Sequence, residues 1–126
     1  MTLGQIVAKY GCTVYTAHPF DSAKEIRYAF CSDLMSDALM IMSTVRESGI
    51  LEDSVLITGL ATNQSIRTAE MLDVEVVCLV RGKIPAKQVV DLADESGIIL
   101  IGTELTMFNL SGRLYQEGIV GIASKK

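Results

Sequence analysis

The sequence of 126 residues contains few of the side chains from which catalytic and metal centres are built. Histidine occurs once, as His18, and tryptophan is absent. A single histidine excludes a metal site with several histidine ligands, and no nucleophile-and-base pair accompanies it. Asp33 and Asp37 are one helical turn apart, but two carboxylates alone are a poor metal site, so we interpret them as capping or solvent-exposed residues. We therefore expect no catalytic residue, no metal and no cofactor, and a loop position without a catalytic role for His18.

Cysteine and long hydrophobic runs are also scarce. Cys12, Cys31 and Cys78 are widely spaced and odd in number, and each lies in an apolar, strand-like setting, which indicates buried reduced thiols. No stretch approaches the roughly 20 apolar residues of a membrane span, and the N-terminus lacks the apolar run of a signal peptide. We therefore expect a cytoplasmic protein that does not contact membranes.

Positive charge is not concentrated anywhere in the chain. Eleven Lys and Arg residues oppose 15 Asp and Glu residues, giving a formal charge of −4, and the densest basic cluster is the terminal Lys125-Lys126. This balance argues against nucleic acid and anionic membranes as partners. With 49% hydrophobic and 21% charged residues, the chain has an ordinary globular composition, and its length suits one domain.

Three short apolar runs, VLITG, VCLVRG and IILIGT, organise the second half of the chain. Each ends in glycine beside a polar residue, and helical segments follow at residues 63–72, 86–96 and 104–117. Strands that are apolar on both faces and alternate with amphipathic helices are typical of a parallel sheet covered by helices. The sequence predicts an α/β fold: one domain over residues 1–126, of two or three layers, with a mainly parallel sheet flanked by helices.

The first third of the chain has the pattern of a short helix and two strands. Thr2 and Gln5 match a capping box at the start of a helix that ends at Gly11. The stretch CTVYTAH is typical of a strand. The stretch EIRYAFC alternates strictly between apolar and other residues, which suits a half-exposed or edge strand.

A longer helix follows, with the sequence SDLMSDALMIMSTVRESG, and it is apolar almost all the way round. We expect Ser32 or Asp33 to cap it and Gly49 to lie near its end. A helix with two apolar stripes needs two partners, so one stripe would pack on the sheet and the other on a second subunit. We therefore predict a two-fold symmetric homodimer. The residues expected at or near its interface are Met35, Leu39 and Met42.

Right-handed crossovers place the three glycine-bearing turns along one edge of the sheet, at the carboxyl ends of the strands. The loop TGLATNQS has one glycine and no lysine, so it is neither a phosphate loop of the P-loop type nor a dinucleotide fingerprint. A helix N-terminus and Arg81, with Lys83 nearby, are a weaker basis for a site that binds a small anion or a nucleotide. The residues expected at this site are Thr58, Gly59, Thr62, Asn63, Arg81, Gly82 and Thr103.

A simpler interpretation accounts for the same residues without a ligand. Thr62 or Asn63 then only caps the following helix, and Arg81 and Lys83 are solvated loop residues. The sequence is compatible with both an anion site and a turn that binds no ligand.

The chain resembles a stand-alone DRTGG domain, which is otherwise found beside CBS domains in some pyrophosphatases and beside a phosphotransacetylase-type catalytic region. It is also similar to the N-terminal domain of HPr kinase. The resemblance covers nearly the whole chain and rests on four stretches: SDLMSDAL, VLITGLATNQSIRTAEM, RGKIPAKQVVDLADESG and GTELTMFNLSGRLYQEG. The Asp-Arg and Thr-Gly-Gly of the family's name correspond to Leu60-Ala61 and Val80-Arg81-Gly82, of which only Gly82 is retained.

The resemblance implies a regulatory or dimerising module without catalysis of its own. We therefore expect a dimeric regulatory protein that senses a small anionic ligand and acts on a protein partner that the sequence does not identify. One alternative is a pure assembly or scaffold protein that binds no small molecule. A second alternative is a small enzyme whose site is shared across a dimer.

Overall fold

The structure, a computed structural model, describes residues 1–122 of the chain. Within these residues five helices are present: α1 (Leu3–Lys9), α2 (Met35–Ser43), α3 (Asn63–Leu72), α4 (Lys87–Ser96) and α5 (Met107–Gln116). The same residues contain six strands: β1 (Thr13–Val14), β2 (Tyr28–Cys31), β3 (Ser54–Thr58), β4 (Val76–Leu79), β5 (Ile99–Gly102) and β6 (Val120–Gly121). Two short 3₁₀ turns, Arg46–Ser48 and Ile50–Asp53, connect α2 to β3. No helix in residues 1–122 has the length and apolar character to cross a membrane.

The strands form one sheet in the order β1-β5-β4-β3-β2-β6. Each neighbouring pair from β5 to β6 is parallel, and β1 runs antiparallel to β5 at one edge. The predicted α/β fold with a mainly parallel sheet is confirmed. The strand from EIRYAFC is partly exposed, as one of the two expectations had it, but it is not an edge strand, because β2 pairs with β3 on one side and with the short β6 on the other. Its alternating sequence therefore does not mark a free edge.

Helices cover both faces of the sheet, which makes three layers. Alternate residues of β3 show the division: Leu56 packs with the residues of α2, α3 and α4, whereas Val55 and Ile57 pack with those of α1 and α5. All five residues of β3 and all four of β4 and β5 are buried. These strands are apolar on both faces because each face lies under helices.

Side-chain caps set the starts of two helices, α1 and α5. The Thr2–Gln5 capping box is present: the Gln5 N–H donates to Thr2 Oγ1 at 3.1 Å, and the Thr2 N–H donates to Gln5 Oε1 at 2.8 Å. The helix after β5 begins three residues later than the segment predicted from residue 104. Its start is displaced because Thr106 is the N-cap, and its hydroxyl accepts the Asn109 N–H at 3.3 Å.

The start of α2 differs from the prediction. Leu34 is the N-cap, without a side-chain hydrogen bond to the helix. The Ser32 hydroxyl accepts the Leu34 N–H at 2.9 Å, which forms a local turn before the helix. Asp33 does not cap α2 either, because its carboxylate faces the loop after β3. The helix ends at Ser43, well before Gly49.

The apolar stripe of α2 expected at a dimer interface needs correction. Met35 and Met42 are buried in the core of the single chain, together with Ala38, because positions 35, 38 and 42 lie on the face turned toward the sheet. Leu39 is partly buried against the same core, whereas Met40 is 62% exposed. Met35 and Met42 thus belong to the core, and dimerisation itself stays a prediction.

Replacing Met42 with alanine should destabilise the fold because it leaves a cavity between α2 and the sheet. We expect the free energy of unfolding to fall by about 2–5 kcal/mol. Met40→Ala on the same helix should change it by no more than about 0.5 kcal/mol, since that side chain is largely exposed. Urea unfolding of both variants measures the difference. Equal effects would contradict the orientation of α2.

Candidate functional site

The loops that follow the central strands meet at the carboxyl edge of the sheet. In the register of the sheet, Thr58 of β3 pairs with Leu79 of β4, and Leu79 pairs with Gly102 of β5. The Arg81 N–H donates to the Leu105 carbonyl at 2.8 Å, so the loop after β4 is tied to the loop after β5. The structure thus brings together several of the expected site residues: Thr58, Gly59, Arg81, Gly82 and Thr103.

Two of these residues support the loops with their hydroxyl groups. Thr58 is buried, and its Oγ1 accepts the Leu60 N–H at 3.0 Å. Thr103 is also buried: its Oγ1 accepts the Leu105 N–H at 3.2 Å and donates to the Tyr10 carbonyl at 2.9 Å. The Thr103 hydroxyl thus has both its partners within the chain, and its side chain helps to shape the edge.

Three polar side chains, those of Asp33, Thr58 and Arg81, cluster around Gly59 at this edge. The Gly59 N–H donates to Asp33 Oδ1 at 2.6 Å, and the Thr58 hydroxyl lies 3.4 Å from the same oxygen. Arg81 Nη2 is 4.0 Å from Asp33 Oδ2. A Cβ at position 59 would lie 2.3 Å from Arg81 Nη2, so the guanidinium passes directly over the glycine. The two charged side chains are each about half exposed.

Asp33 is the residue of this group that the sequence interpretation missed. Its place before a helix predicts a capping or solvent-exposed residue, yet it contacts the loop after β3. The signal that could have found it is the pairing of β2 with β3, in which Cys31 is level with Ile57. Asp33 then follows β2 at the same level at which Gly59 follows β3.

Thr62 and Asn63 stand at the exposed start of α3. Thr62 is the N-cap, but its side chain accepts no hydrogen bond from the helix. Its carbonyl accepts the Ser65 N–H at 3.2 Å and the Ser65 hydroxyl at 2.9 Å instead. Thr62 is therefore the N-cap by position and not through a side-chain hydrogen bond, and the interpretation of this loop as a turn without a ligand stays open.

A shallow groove of about 210 Å³ lies beside this cluster, at the ends of β5 and β1. Gly82 and Thr103 line it together with Lys83 and Glu104, and within residues 1–122 neither of these two charged side chains has an ion-pair partner. The Tyr15 ring forms one wall. The ring fits because Gly102 has no side chain; a Cβ there would lie 2.9 Å from Tyr15 Cε2.

His18 lies at the amino end of β5, whereas this cluster lies at the carboxyl ends of the strands. Its Nε2 is 2.9 Å from the Ile98 carbonyl oxygen, just before β5, and its Nδ1 is 3.3 Å from the Pro19 carbonyl oxygen. The Asp94 carboxylate accepts the His18 backbone N–H at 3.0 Å. The Ile98 carbonyl, followed by the Pro19 carbonyl and Asp94, raises the His18 pKa, although burial opposes the shift. His18 thus fastens the loop between β1 and β2 onto the sheet.

The cysteines are free thiols throughout the described part of the chain; Cys78 is buried, and Cys12 and Cys31 are partly buried. Cys31 Sγ is 3.1 Å from Ser111 Oγ beside a cavity of about 100 Å³. Burial raises the pKa of the Cys31 thiol, despite the opposing effect of Ser111, so its reactive thiolate form is disfavoured. In residues 1–122 no group of three or more His, Cys, Asp or Glu side chains is arranged to hold a metal ion.

No protein-family model matches the sequence, and no curated protein matches it. Among solved structures, the chain is similar to the CBS and DRTGG domains of the regulatory region of Clostridium perfringens pyrophosphatase, complexed with the activator diadenosine tetraphosphate. The TM-score is 0.67 at 18% sequence identity. The two share a fold. The match covers 94% of this chain and 47% of that one, so this chain spans about half the length of its structural neighbour.

This likeness supports the expected DRTGG-like architecture at the level of the fold. At 18% identity it carries no residue roles from one chain to the other.

The contacts of His18 predict a pH dependence of stability. Because its pKa is raised in the folded chain, the protonated ring stabilises the fold below the unfolded pKa of about 6.5, and this contribution is lost as pH rises through the folded pKa. Urea unfolding at about pH 5.5 and about pH 8 should show a larger loss of stability with rising pH for the wild type than for His18→Gln. The same pH dependence in both proteins would contradict the role of the ring.

Proposed function

We propose that this chain is a non-catalytic regulatory module that forms a homodimer and senses a small anionic ligand, including nucleotides, at the carboxyl edge of its sheet. The observation that carries the proposal is the convergence of the Gly59 N–H, the Thr58 hydroxyl and the Arg81 guanidinium on one point of that edge. In open α/β sheets, ligands bind outside the carboxyl ends of the strands. Donors of this kind suit a phosphate or carboxylate.

The placement of the reactive side chains favours regulation over catalysis. His18 is at the amino end of β5, with a backbone carbonyl within 3.3 Å of each ring nitrogen, and so is remote from the Arg81 cluster. Cys31 has a raised pKa and a serine, not a base, as its neighbour. The structural neighbour is itself described as a regulatory region with a nucleotide activator. That description concerns the other protein and supports the same class of role here.

A second copy of this chain is the partner that the carboxyl edge suits best. Large apolar side chains are exposed in the loops or first helical turns after β2, β4 and β5: Leu34 is 57%, Ile84 79% and Phe108 85% exposed. The same edge carries two acids and two bases, namely Asp33, Glu104, Arg81 and Lys83. A two-fold interface pairs a patch with itself, so a patch of mixed charge with apolar anchors is self-complementary.

We therefore place the proposed interface at this edge and not at Met35 and Met42 of α2, which are buried in the core. Leu39, which is partly buried, is the residue of the original stripe that stays accessible to a partner. A ligand at the edge would then lie in a cleft shared by two subunits. A shared cleft matters because one exposed helix N-terminus and one arginine supply only part of the roughly 8 kcal/mol that micromolar affinity requires.

The two alternatives differ from this proposal in what they predict. A pure assembly protein would dimerise but bind no anion at the edge. A small enzyme with a shared site would turn over a substrate, and a substitution at the edge would abolish the turnover. The proposed module would bind an anion without converting it.

Glutamate at the apolar positions of the edge should weaken the dimer. Burying a leucine or phenylalanine side chain contributes about 1.5–3 kcal/mol, so Leu34→Glu and Phe108→Glu should each raise the dimer dissociation constant at least about tenfold. Tyr115→Glu is the control, because Tyr115 is 75% exposed at the other end of α5. Sedimentation at tens of micromolar measures the change. A monomeric wild type, or equal dimers in all variants, would refute the proposed interface.

Anion binding should be detectable by NMR shift mapping with nucleotides and small carboxylates at up to millimolar concentration. We expect the shifts to centre on Gly59 and Arg81 and to weaken severalfold in Arg81→Gln. Arg113→Gln, which removes the same charge near the end of α5, should bind as the wild type does. The mapped residues should come from the set Thr58, Gly59, Thr62, Asn63, Arg81, Gly82 and Thr103. No shifts at any concentration would favour the assembly protein, and shifts elsewhere would refute a ligand site at this edge.

A further inference from the structure

The anion position at the carboxyl edge already holds an anion, the carboxylate of Asp33. Its Oδ1 accepts the Gly59 N–H at 2.6 Å and lies 3.4 Å from the Thr58 hydroxyl, and its Oδ2 is 4.0 Å from Arg81 Nη2. The geometry points to Asp33 as a built-in competitor that an external anion must displace from Gly59 and Arg81. This inference rests on the proposed function and concerns the regulation of the same site.

Asp33 satisfies one donor of the site well and another poorly. The Gly59 N–H makes a short, charge-assisted hydrogen bond to it. The guanidinium is at the limit of an ion pair, and both side chains are about half exposed, so the attraction between them is weak. Arginine carries five N–H donors, most of which this carboxylate does not reach. Asp33 therefore occupies the site but uses only part of the hydrogen-bonding capacity of Arg81.

The backbone at Arg81 has an uncommon conformation that its loop contacts impose. Arg81 has φ of 62°, and in residues 1–122 Asp73 is the only other non-glycine residue with a positive φ. Such a conformation is unfavourable for a residue with a side chain and persists where surrounding contacts impose it, often at functional sites. Here the Leu105 carbonyl holds the Arg81 N–H. Gly59 leaves the space through which the guanidinium approaches Asp33.

A phosphate group is a better partner for these donors than a carboxylate. Its oxygens can accept the Gly59 N–H and the Thr58 hydroxyl while also forming a two-point contact with Arg81. Asp33 can turn into solvent because it is already half exposed. Its negative charge stays close to the bound anion, however, and the repulsion lowers the affinity. Asp33 thereby sets the ligand concentration at which the site fills.

The position of Asp33 in the chain connects this exchange to the proposed dimer edge. Before it, the Ser32 N–H is fixed to the Ile57 carbonyl at 3.0 Å. After it, Leu34 is the exposed N-cap of α2 and one of the apolar side chains of the edge. Asp33 is therefore the chain neighbour of a residue that we place at the subunit interface.

The experiment compares Asp33→Asn with the wild type and with Asp37→Asn, which removes the same charge from the first turn of α2. Inorganic pyrophosphate is titrated into each protein, and the Gly59 and Arg81 amide signals are followed by NMR. Removing one like charge at about 4 Å should tighten binding by about fivefold or more in Asp33→Asn. Asp37→Asn should bind within about twofold of the wild type.

Each outcome decides the inference. Equal affinity of Asp33→Asn and the wild type at Gly59 would overturn the competition by Asp33 and leave the proposed ligand site intact. Absence of pyrophosphate binding in every variant would overturn both. If Asp33→Asn does not fold, Asp33→Ser keeps a short hydrogen-bond acceptor for the Gly59 N–H and is titrated instead. Loss of folding in both variants would assign Asp33 a structural role and overturn the inference.

Discussion

The parallel pairing of β3, β4 and β5 is the constraint on which the rest of the molecule depends. The strands are buried on both faces, so their backbone groups have to pair with each other, and their side chains can pack only with the helices that cover them. The register that results sets Thr58, Leu79 and Gly102 side by side. Every polar group of the candidate site is positioned by the point at which one of these strands, or their neighbour β2, ends.

The sequence predicted these central elements well because their signals are local. Continuous apolar runs that end in glycine are strands, and α3 begins and ends at the predicted residues. The orientation of α2 was not predictable in the same way. A helix that is apolar almost all the way round contains no local indication of which stripe turns inward, and only packing against the sheet and α3 selects Met35 and Met42. The place of β2 was missed for a related reason, since its partner β6 lies 92 residues further along the chain at the pair Tyr28 and Val120.

The candidate site, too, was predictable only where its signals are local. Topology alone brings Gly59, Arg81 and Thr103 to one edge, and this much follows from the sequence. The partners of their polar groups do not, because they come from distant segments. The Thr103 hydroxyl is used by the carbonyl of Tyr10, 93 residues earlier. The Gly59 N–H is used by Asp33, 26 residues earlier. A residue that looks available to a ligand in the sequence is therefore not always available in the fold.

The same long-range pairing also bears on the DRTGG motif, of which this sequence retains only Gly82. The resemblance to DRTGG domains places an Asp-Arg pair after β3, where this chain has Leu60 and Ala61. In the fold, β2 and β4 lie on either side of β3, and the loops after them supply Asp33 and Arg81. An acid and an arginine thus meet above Gly59 although neither follows β3 in sequence. The edge of this chain therefore carries an acid and an arginine although Leu60 and Ala61 follow β3, because the loops after the two neighbouring strands supply them.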